Sequence, residues 1–414
     1  MGNKKVIALN TASQVVGKII TSSTTFVISI LLAQALGAEG YGDFTKVTTL
    51  VAFFYLLSDF GLNTAYLELS DKKEAPFTLI VIRTLLSCLL IVFLLTSLSF
   101  LPGSETQGYT PVVKFGIVLF SISILLQSLI TTANAFFQKN LRYDLATYSL
   151  VTGSLTSLLS VFIFSFLHIE GIIVYIIAFL VGSFTTMVSA LFLAKHILPE
   201  FSFFYDKTLA KHMVGIAFPL GLTLLCNVVY FHADSIMLTL FRTTKEVGIY
   251  GFAYKLFELP LVIPTFFMNA VFPLLLISTK SGDMTTFKRH VRQSAVLLFF
   301  TSIFLIVIGY FVSPIIALVN SDFKESILPL RILLLSLPIF FLTSLSMWAL
   351  IALKKRSQLL IIYFISMIVN ITSNYICIPL YGYLASAWIT VVSESLVFIL
   401  SLLVIQKHFQ QKKY

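Results

Sequence analysis

The sequence predicts an all-α integral membrane protein whose helices cross a bilayer about twelve times, and three observations predict it. Of the 414 residues, 58% are hydrophobic and 11% charged, where a soluble domain carries about a quarter charged residues. Uncharged stretches longer than the roughly 18 residues needed for a span recur along the whole chain. The basic residues fall in short clusters between those stretches, as expected of loops on the cytoplasmic face. Composition agrees: 40 Phe suit acyl chains and 17 Tyr suit the headgroup layers.

Seven uncharged stretches are long enough for one span each: Thr84–Ser104, Phe115–Gln138, Leu145–Leu167, Gly171–Ala194, Leu259–Thr279, Gln293–Ser321 and Ile332–Leu353. Ser357–Ser393 is too long for one helix and breaks at Pro379-Leu-Tyr-Gly-Tyr383, giving two. Segments near 11–36, 41–67 and 213–241 carry internal charges and complete the twelve. The first begins after Lys4 and Lys5 and reaches Ala33-Gln34-Ala35, a pattern like a cleavable signal peptide. Lys18 interrupts its apolar stretch, so it is read as the first membrane helix.

With the N-terminus inside, 20 of the 28 basic residues fall on the cytoplasmic side, including Lys72, Lys73 and Arg83, Lys139 and Arg142, and Lys354, Lys355 and Arg356. Lys114, Arg242, Lys245 and Lys324 lie outside, and Lys18, Lys46, Lys255 and Arg331 fall within helices. That alternation places both termini in the cytoplasm. The net charge of +10 therefore reflects loops on an anionic membrane face. The bases form no single run, so a nucleic-acid partner is not expected.

Cys88, Cys226 and Cys377 lie far apart in apolar stretches, with no CxxC pair and no ligand spacing, so neither a disulfide framework nor a metal site is expected. Gly17-Lys18 is followed by Ile19, so no phosphate-binding loop exists and no nucleotide cofactor is expected. The longest outer loop, near Pro102–Pro111, holds one acid, Glu105. No catalytic constellation is visible, and a transporter is the simplest use of twelve spans with small loops and intramembrane charges.

The polar connector from Lys195 to His212 divides the chain into halves, 1–200 with helices 1–6 and 201–414 with helices 7–12. Tyr41-Gly-Asp-Phe-Thr-Lys46 opens helix 2, and Tyr250-Gly-Phe-Ala-Tyr-Lys255 opens helix 8. Helix pairs 5–6 and 11–12 each follow a basic cluster and turn at a glycine, Gly171 and Gly382. These echoes predict two halves of like orientation.

Gly37-Ala-Glu-Gly-Tyr-Gly-Asp-Phe44 followed by Asp59-Phe-Gly-Leu-Asn63, Asp234-Ser-Ile-Met-Leu with Val247-Gly-Ile-Tyr250 and Ala253-Tyr-Lys-Leu256, and Asn370 with Ile378-Pro-Leu-Tyr-Gly382 and Ala385-Ser-Ala387 together resemble the oligosaccharide flippases, the Wzx-type members of the multidrug/oligosaccharidyl-lipid/polysaccharide exporter superfamily. The resemblance implies two pseudo-symmetric six-helix bundles around a central cavity and transport by alternating access. It implies a polyprenyl-diphosphate-linked oligosaccharide as substrate, moved to the outer leaflet of a prokaryotic cytoplasmic membrane. Polysaccharide polymerase and assembly proteins are the implied partners. Lipid II flippases look similar but usually carry two further helices. A cation-coupled multidrug exporter of the same superfamily is the alternative, and a non-transporting scaffold of a polysaccharide assembly complex is a third reading.

Several intramembrane polar residues are candidate site residues. Gln14, Lys18, Thr21, Ser22 and Thr25 lie close to one helical face; the face lines a cavity or packs against a partner helix. Lys46 and Lys255 lie about 7.5 Å below the outer tyrosines. They either snorkel to headgroups or hold the diphosphate as mobile point charges. Asn227, Tyr230 and Asp234 share a face of helix 7, and an Asp234–Lys255 ion pair is expected, structural or switching. Asp234, Glu258 and Asp59 are the candidate ion-coupling acids. Pro260 and Pro264 flank Glu258's helix and permit a bend there. His232 reads as an ordinary helix histidine, and Glu394 has no nameable partner.

Overall fold

In the computed structural model, residues 2–104, 106–197 and 203–411 are described. Glu105, Lys412 and Lys413 lie outside them, and the side chains of Lys4 and Lys5 are likewise undescribed. The described residues are helical almost throughout. In chain order the α-helices are α1 Gly2–Leu57, α2 Leu62–Leu69, α3 Ala75–Ser97, α4 Pro111–Phe120, α5 Ile122–Lys139, α6 Tyr143–Phe166, α7 Ile172–Ile197 and α8 Lys207–Phe241. Then follow α9 Thr244–Glu258, α10 Val262–Lys280, α11 Met284–Val312, α12 Ile316–Val319, α13 Ile327–Leu335, α14 Leu337–Ala352, α15 Arg356–Tyr381 and α16 Tyr383–Gln411. Two compact units result, Met1–His232 with Thr243–Lys245, and Ala233–Arg242 with Glu246–Tyr414.

Eleven helical segments among the described residues are long and apolar enough to cross a membrane. The first, Ser13–Leu69, is 57 residues long, about 85 Å of helix against a hydrocarbon core of about 30 Å. It is not one rod. At Gly37 the backbone turns to φ 63°, ψ −174°, a region open to glycine and costly for a side-chain-bearing residue. The segment thus divides into two crossings, which restores the twelve expected from the sequence. A second break, at Phe60 (φ 41°) and Gly61 (φ 79°), separates α1 from α2. The predicted turn glycines Gly171 and Gly382 both have positive φ.

Local chemistry sets the helix ends. Thr110 caps α4, accepting from the Val113 N–H, and Pro111 follows in the first turn. Asp283 caps α11, accepting from the Thr286 N–H at 2.9 Å. Pro76 lies in the first turn of α3, so this helix starts well before the uncharged stretch at Thr84. Arg83 is therefore inside α3 and not in the cytoplasmic loop to which the charge pattern assigned it.

The helices are apolar outside and studded with small polar groups inside, as a lipid solvent requires. On α3, Leu85, Leu89 and Phe93 point outward while Thr78, Arg83 and Ser87 are buried. Buried hydroxyls return their hydrogen bonds to their own helix, as Ser87 does to Arg83 O and Thr186 to Gly182 O, each at 2.9 Å. Such residues let helices approach closely where no hydrophobic effect drives them together. At the α6–α7 seam a Cβ on Gly153 would stand 1.7 Å from Thr186 Oγ1, and one on Gly182 would stand 1.7 Å from Ser157 Oγ. An alanine at either position would force the two helices apart.

Candidate functional site

In the first unit, α1 carries Gln14, half-buried, and Lys18, exposed. Lys18 forms no ion pair among the described residues. Its neighbour Gly17 packs against Thr147 of α6, which fixes the face that α1 turns to its partner helix. Along the expected polar stripe, Thr21 Oγ1 donates to Lys18 O at 3.2 Å and Thr25 Oγ1 to Thr21 O at 2.8 Å. These hydroxyls are satisfied within the helix.

Lys46 differs from its expected setting. Its side chain is fully buried, donating to Asp43 Oδ1 at 3.3 Å and to the Thr244 hydroxyl. Thr244 in turn donates to Thr106 O at 3.1 Å. An ammonium closed in by a carboxylate one turn away and a hydroxyl neither snorkels nor faces open space.

Asp59 stands at the end of α1, before the break at Phe60–Gly61, and Asn63 stands just after it. Arg83 Nη2 donates to Asp59 Oδ1 at 2.7 Å and to Asn63 Oδ1 at 2.8 Å, and its Nη1 donates to Thr132 on α5 at 3.0 Å. One guanidinium thereby grips both sides of a helix break and ties them to α3 and α5, while Asp59 keeps 31% side-chain exposure. The loop assignment of Arg83 hid this cluster. Its signals were Pro76, which starts the helix early, and the polar pair Asp59 and Asn63 one turn apart in an otherwise apolar segment.

On α8, Asn227 is half-buried and Tyr230 is buried, its ring against Phe231. In the second unit Asp234 is buried at 5% exposure and accepts from the Tyr250 hydroxyl at 2.6 Å and the Ser235 N–H at 2.7 Å.

Lys255 forms its ion pair with Glu258 at 2.8 Å, in place of the expected Asp234. The reason is geometric. Glu258 lies three residues further along the same helix, whereas the buried Tyr250 occupies Asp234. Both members of the Lys255–Glu258 pair keep about two-fifths exposure, 43% and 42%. α9 ends at Glu258 and α10 begins at Val262, so the bend allowed by Pro260 and Pro264 does form. Glu394, buried on α16, lies close enough to Tyr254 and Tyr363 for its charge to act on both phenols. The second unit thus brings Asp234, Glu258 and Glu394 within electrostatic reach of Tyr254, with Lys255 held by Glu258. Among the described residues no group of three or more His, Cys, Asp and Glu is placed to hold a metal ion.

Helices of membrane-spanning length, small polar seams and charged residues at membrane depth mark a multi-pass membrane protein, and known proteins share its fold. The lipid II flippase MurJ in an inward closed conformation superposes with a TM-score of 0.79 at 18% identity, over 96% of this chain and 87% of that one. An inward-facing multidrug resistance MATE family transporter of the MOP superfamily gives 0.79 at 13% identity over 95% of each chain. A MOP superfamily transporter from Pyrococcus furiosus gives 0.63 at 15% identity, over 99% of this chain and 97% of that one. At these identities the likeness shows the fold. No curated protein sequence matches. Residues 7–279 match the polysaccharide biosynthesis protein family, and residues 219–376 match MatE. The chain belongs to the polysaccharide biosynthesis protein family and shares its fold with the MATE family transporters of the MOP superfamily.

Proposed function

We propose that this protein is a Wzx-type flippase that carries a polyprenyl-diphosphate-linked oligosaccharide from the cytoplasmic to the outer leaflet of a prokaryotic cytoplasmic membrane. The carrying observation is the half-open Lys255, an ammonium held at membrane depth by an ion pair that a diphosphate can replace. Lys18, exposed in the other half, is the second cation for that anion, with Gln14, Asn227 and Tyr230 as hydrogen-bonding neighbours of the sugar. Lys46 then anchors its helix. The halves 1–200 and 201–414 alternate their access, both termini stay cytoplasmic, and Asp234, Glu258 and Asp59 remain the coupling acids. Polymerase and assembly proteins take the product at the outer face.

The MatE match and the acid-rich second unit favour one other reading, a cation-coupled multidrug exporter. Reconstituted vesicles separate the two. A polyprenyl-diphosphate oligosaccharide loaded in one leaflet becomes accessible to an added glycosidase only when flipped. Flipping of that lipid without export of lipophilic cations supports the proposal, and the reverse result overturns it. Reporter fusions test the orientation: Gly103 should read as external and Tyr205 and His408 as cytoplasmic. An external signal at Tyr205 removes the two-half arrangement.

A further inference from the structure

The outer face of α11 carries a groove that the transport reading does not use. Arg289, Arg292, Gln293, Val296, Leu297 and Phe300 line a cavity of about 500 Å³. All six are exposed, and they follow one another along one face of the helix at steps of one, three and four residues. The three polar residues come first and the three apolar residues follow. From Arg289 to Phe300 the track is about 16 Å long at helical rise, close to the hydrocarbon depth of one leaflet.

The basic residues of this turn are not equivalent. The Lys288 ammonium sits 4.5 Å from the centroid of Phe409 and is thereby engaged with α16. Arg289 and Arg292 make no ion pair or hydrogen bond among the described residues. The nearest helix-cap acid does not neutralise them either. Among the described residues Asp283 forms no ion pair with either, and its Oδ1 accepts from the Thr285 hydroxyl and the Thr286 N–H at the cap. Two unpaired guanidinium forks above an apolar track match one ligand shape: a phosphate headgroup carrying acyl chains.

We infer that this groove is a binding site for one anionic diacyl glycerophospholipid, its phosphate on Arg289 and Arg292, its ester region at Gln293 and one acyl chain along Val296, Leu297 and Phe300. The occupant is a lipid of one leaflet because the track ends at about half the bilayer; a polyprenyl chain is several times longer. A zwitterionic lipid would bring an ammonium against the same two guanidiniums. That the leaflet is the cytoplasmic one rests on the orientation proposed above, whereas the binding itself does not.

The test uses the full-length protein in nanodiscs and detergent, with phosphatidylglycerol and phosphatidylcholine of matched chains, read by native mass spectrometry. Wild type should retain phosphatidylglycerol at least tenfold more tightly. Arg289→Gln with Arg292→Gln should remove that preference. Arg289→Lys with Arg292→Lys keeps the charge that orients the helix but loses the forks, and should weaken the preference about threefold. Lys324→Gln, remote in sequence, should leave it unchanged. A photoreactive chain on phosphatidylglycerol should label the turn around Val296–Phe300. Equal retention of the two lipids, an unchanged preference in both double variants, or labelling spread over other helices overturns the site. So does labelling of this turn by undecaprenyl diphosphate in place of phosphatidylglycerol. None of these measurements depends on flipping, so failure of the site and failure of the transport reading are distinguishable.

Discussion

Tyr41–Lys46 and Tyr250–Lys255 match at Tyr, Gly and Lys at a constant offset of 209 residues, yet their lysines have opposite environments. Lys46 is sealed, its side chain 0% exposed, whereas Lys255 is 43% exposed. Each lysine pairs with an acid three residues away, but in opposite directions: Asp43 precedes Lys46, and Glu258 follows Lys255. The sequence explains the reversal. At the position of Asp43 the second copy has Phe252, and at the position of Glu258 the first copy has Thr49. Phe252 is buried, its ring 4.7 Å from that of Phe323.

The proline pattern differs as well. Glu258 ends its helix at a bend between Pro260 and Pro264, while the first copy has Val51 and Tyr55 at the corresponding positions and runs on as helix to Leu57. The repeated motif therefore fixes where a lysine sits along its helix and leaves its accessibility to neighbours that differ. One lysine is sealed against Asp43 and Thr244, and the other stays half-open beside Glu258.

The largest effect that tests this contrast is on stability. Lys46→Met leaves Asp43 without its cation and Thr244 without one partner. Breaking a buried ion pair costs about 3–5 kcal/mol; with Asp43 still 21% exposed, the expected loss is about 2–3 kcal/mol. Thermal unfolding in detergent should register it as a clearly lowered midpoint. Lys46→Arg should not restore the wild-type midpoint, because a closed site pays for the larger head by overpacking. An unchanged midpoint for Lys46→Met would erase the distinction between the copies.

The next effect is on transport. Lys255→Ala should lower flipping of the lipid-linked oligosaccharide about tenfold, since a charge-assisted contact to an anion contributes about 1.5–3 kcal/mol. Its stability should change by less than about 1 kcal/mol, as an exposed pair contributes little. Lys255→Arg should keep much of the flipping. Wild-type flipping by Lys255→Ala, measured in the same vesicles, would return Lys255 to a headgroup contact.

Much of the fold was legible because lipid imposes it. Length, absence of charge and alternation of bases give the spans, and Gly171 and Gly382 mark turns that no other residue takes as easily. What stayed hidden was pairing across sequence distance. Arg83 looked like a loop cation because the uncharged stretch begins at Thr84, but its partners Asp59, Asn63 and Thr132 lie on other helices. A charge in a sequence announces a cost and not the group that offsets it. Likewise, similar depth made Asp234 a sensible partner for Lys255, and only the packing of Tyr250 shows who holds that carboxylate. A partner close in sequence escaped too: Glu258, three residues from Lys255, is the acid that holds it.

The smallest effect concerns energy coupling. On the proposed flippase reading, an ion gradient or consumption of product outside supplies the work. Gradient coupling requires a group whose charge differs between the two access states. Glu258 meets the structural requirement better than Asp234. Its carboxylate is 42% exposed and bound to a lysine that the diphosphate can claim, whereas Asp234 is enclosed by Tyr250 and Ser235. In the proposed cycle, when the diphosphate draws Lys255 away, Glu258 loses its countercharge and a proton can take that place. Release of the lipid then returns Lys255 to Glu258 and expels the proton, which carries proton and lipid in the same direction. Glu258→Gln cannot exchange charge. It should flip at a rate within a few-fold of wild type without a gradient, and lose the severalfold acceleration that a proton gradient directed along the lipid's movement gives wild type. If wild type ignores the gradient, or Glu258→Gln responds to it as wild type does, the exposed pair is a brace like its buried counterpart at Lys46, and the two copies differ in accessibility alone.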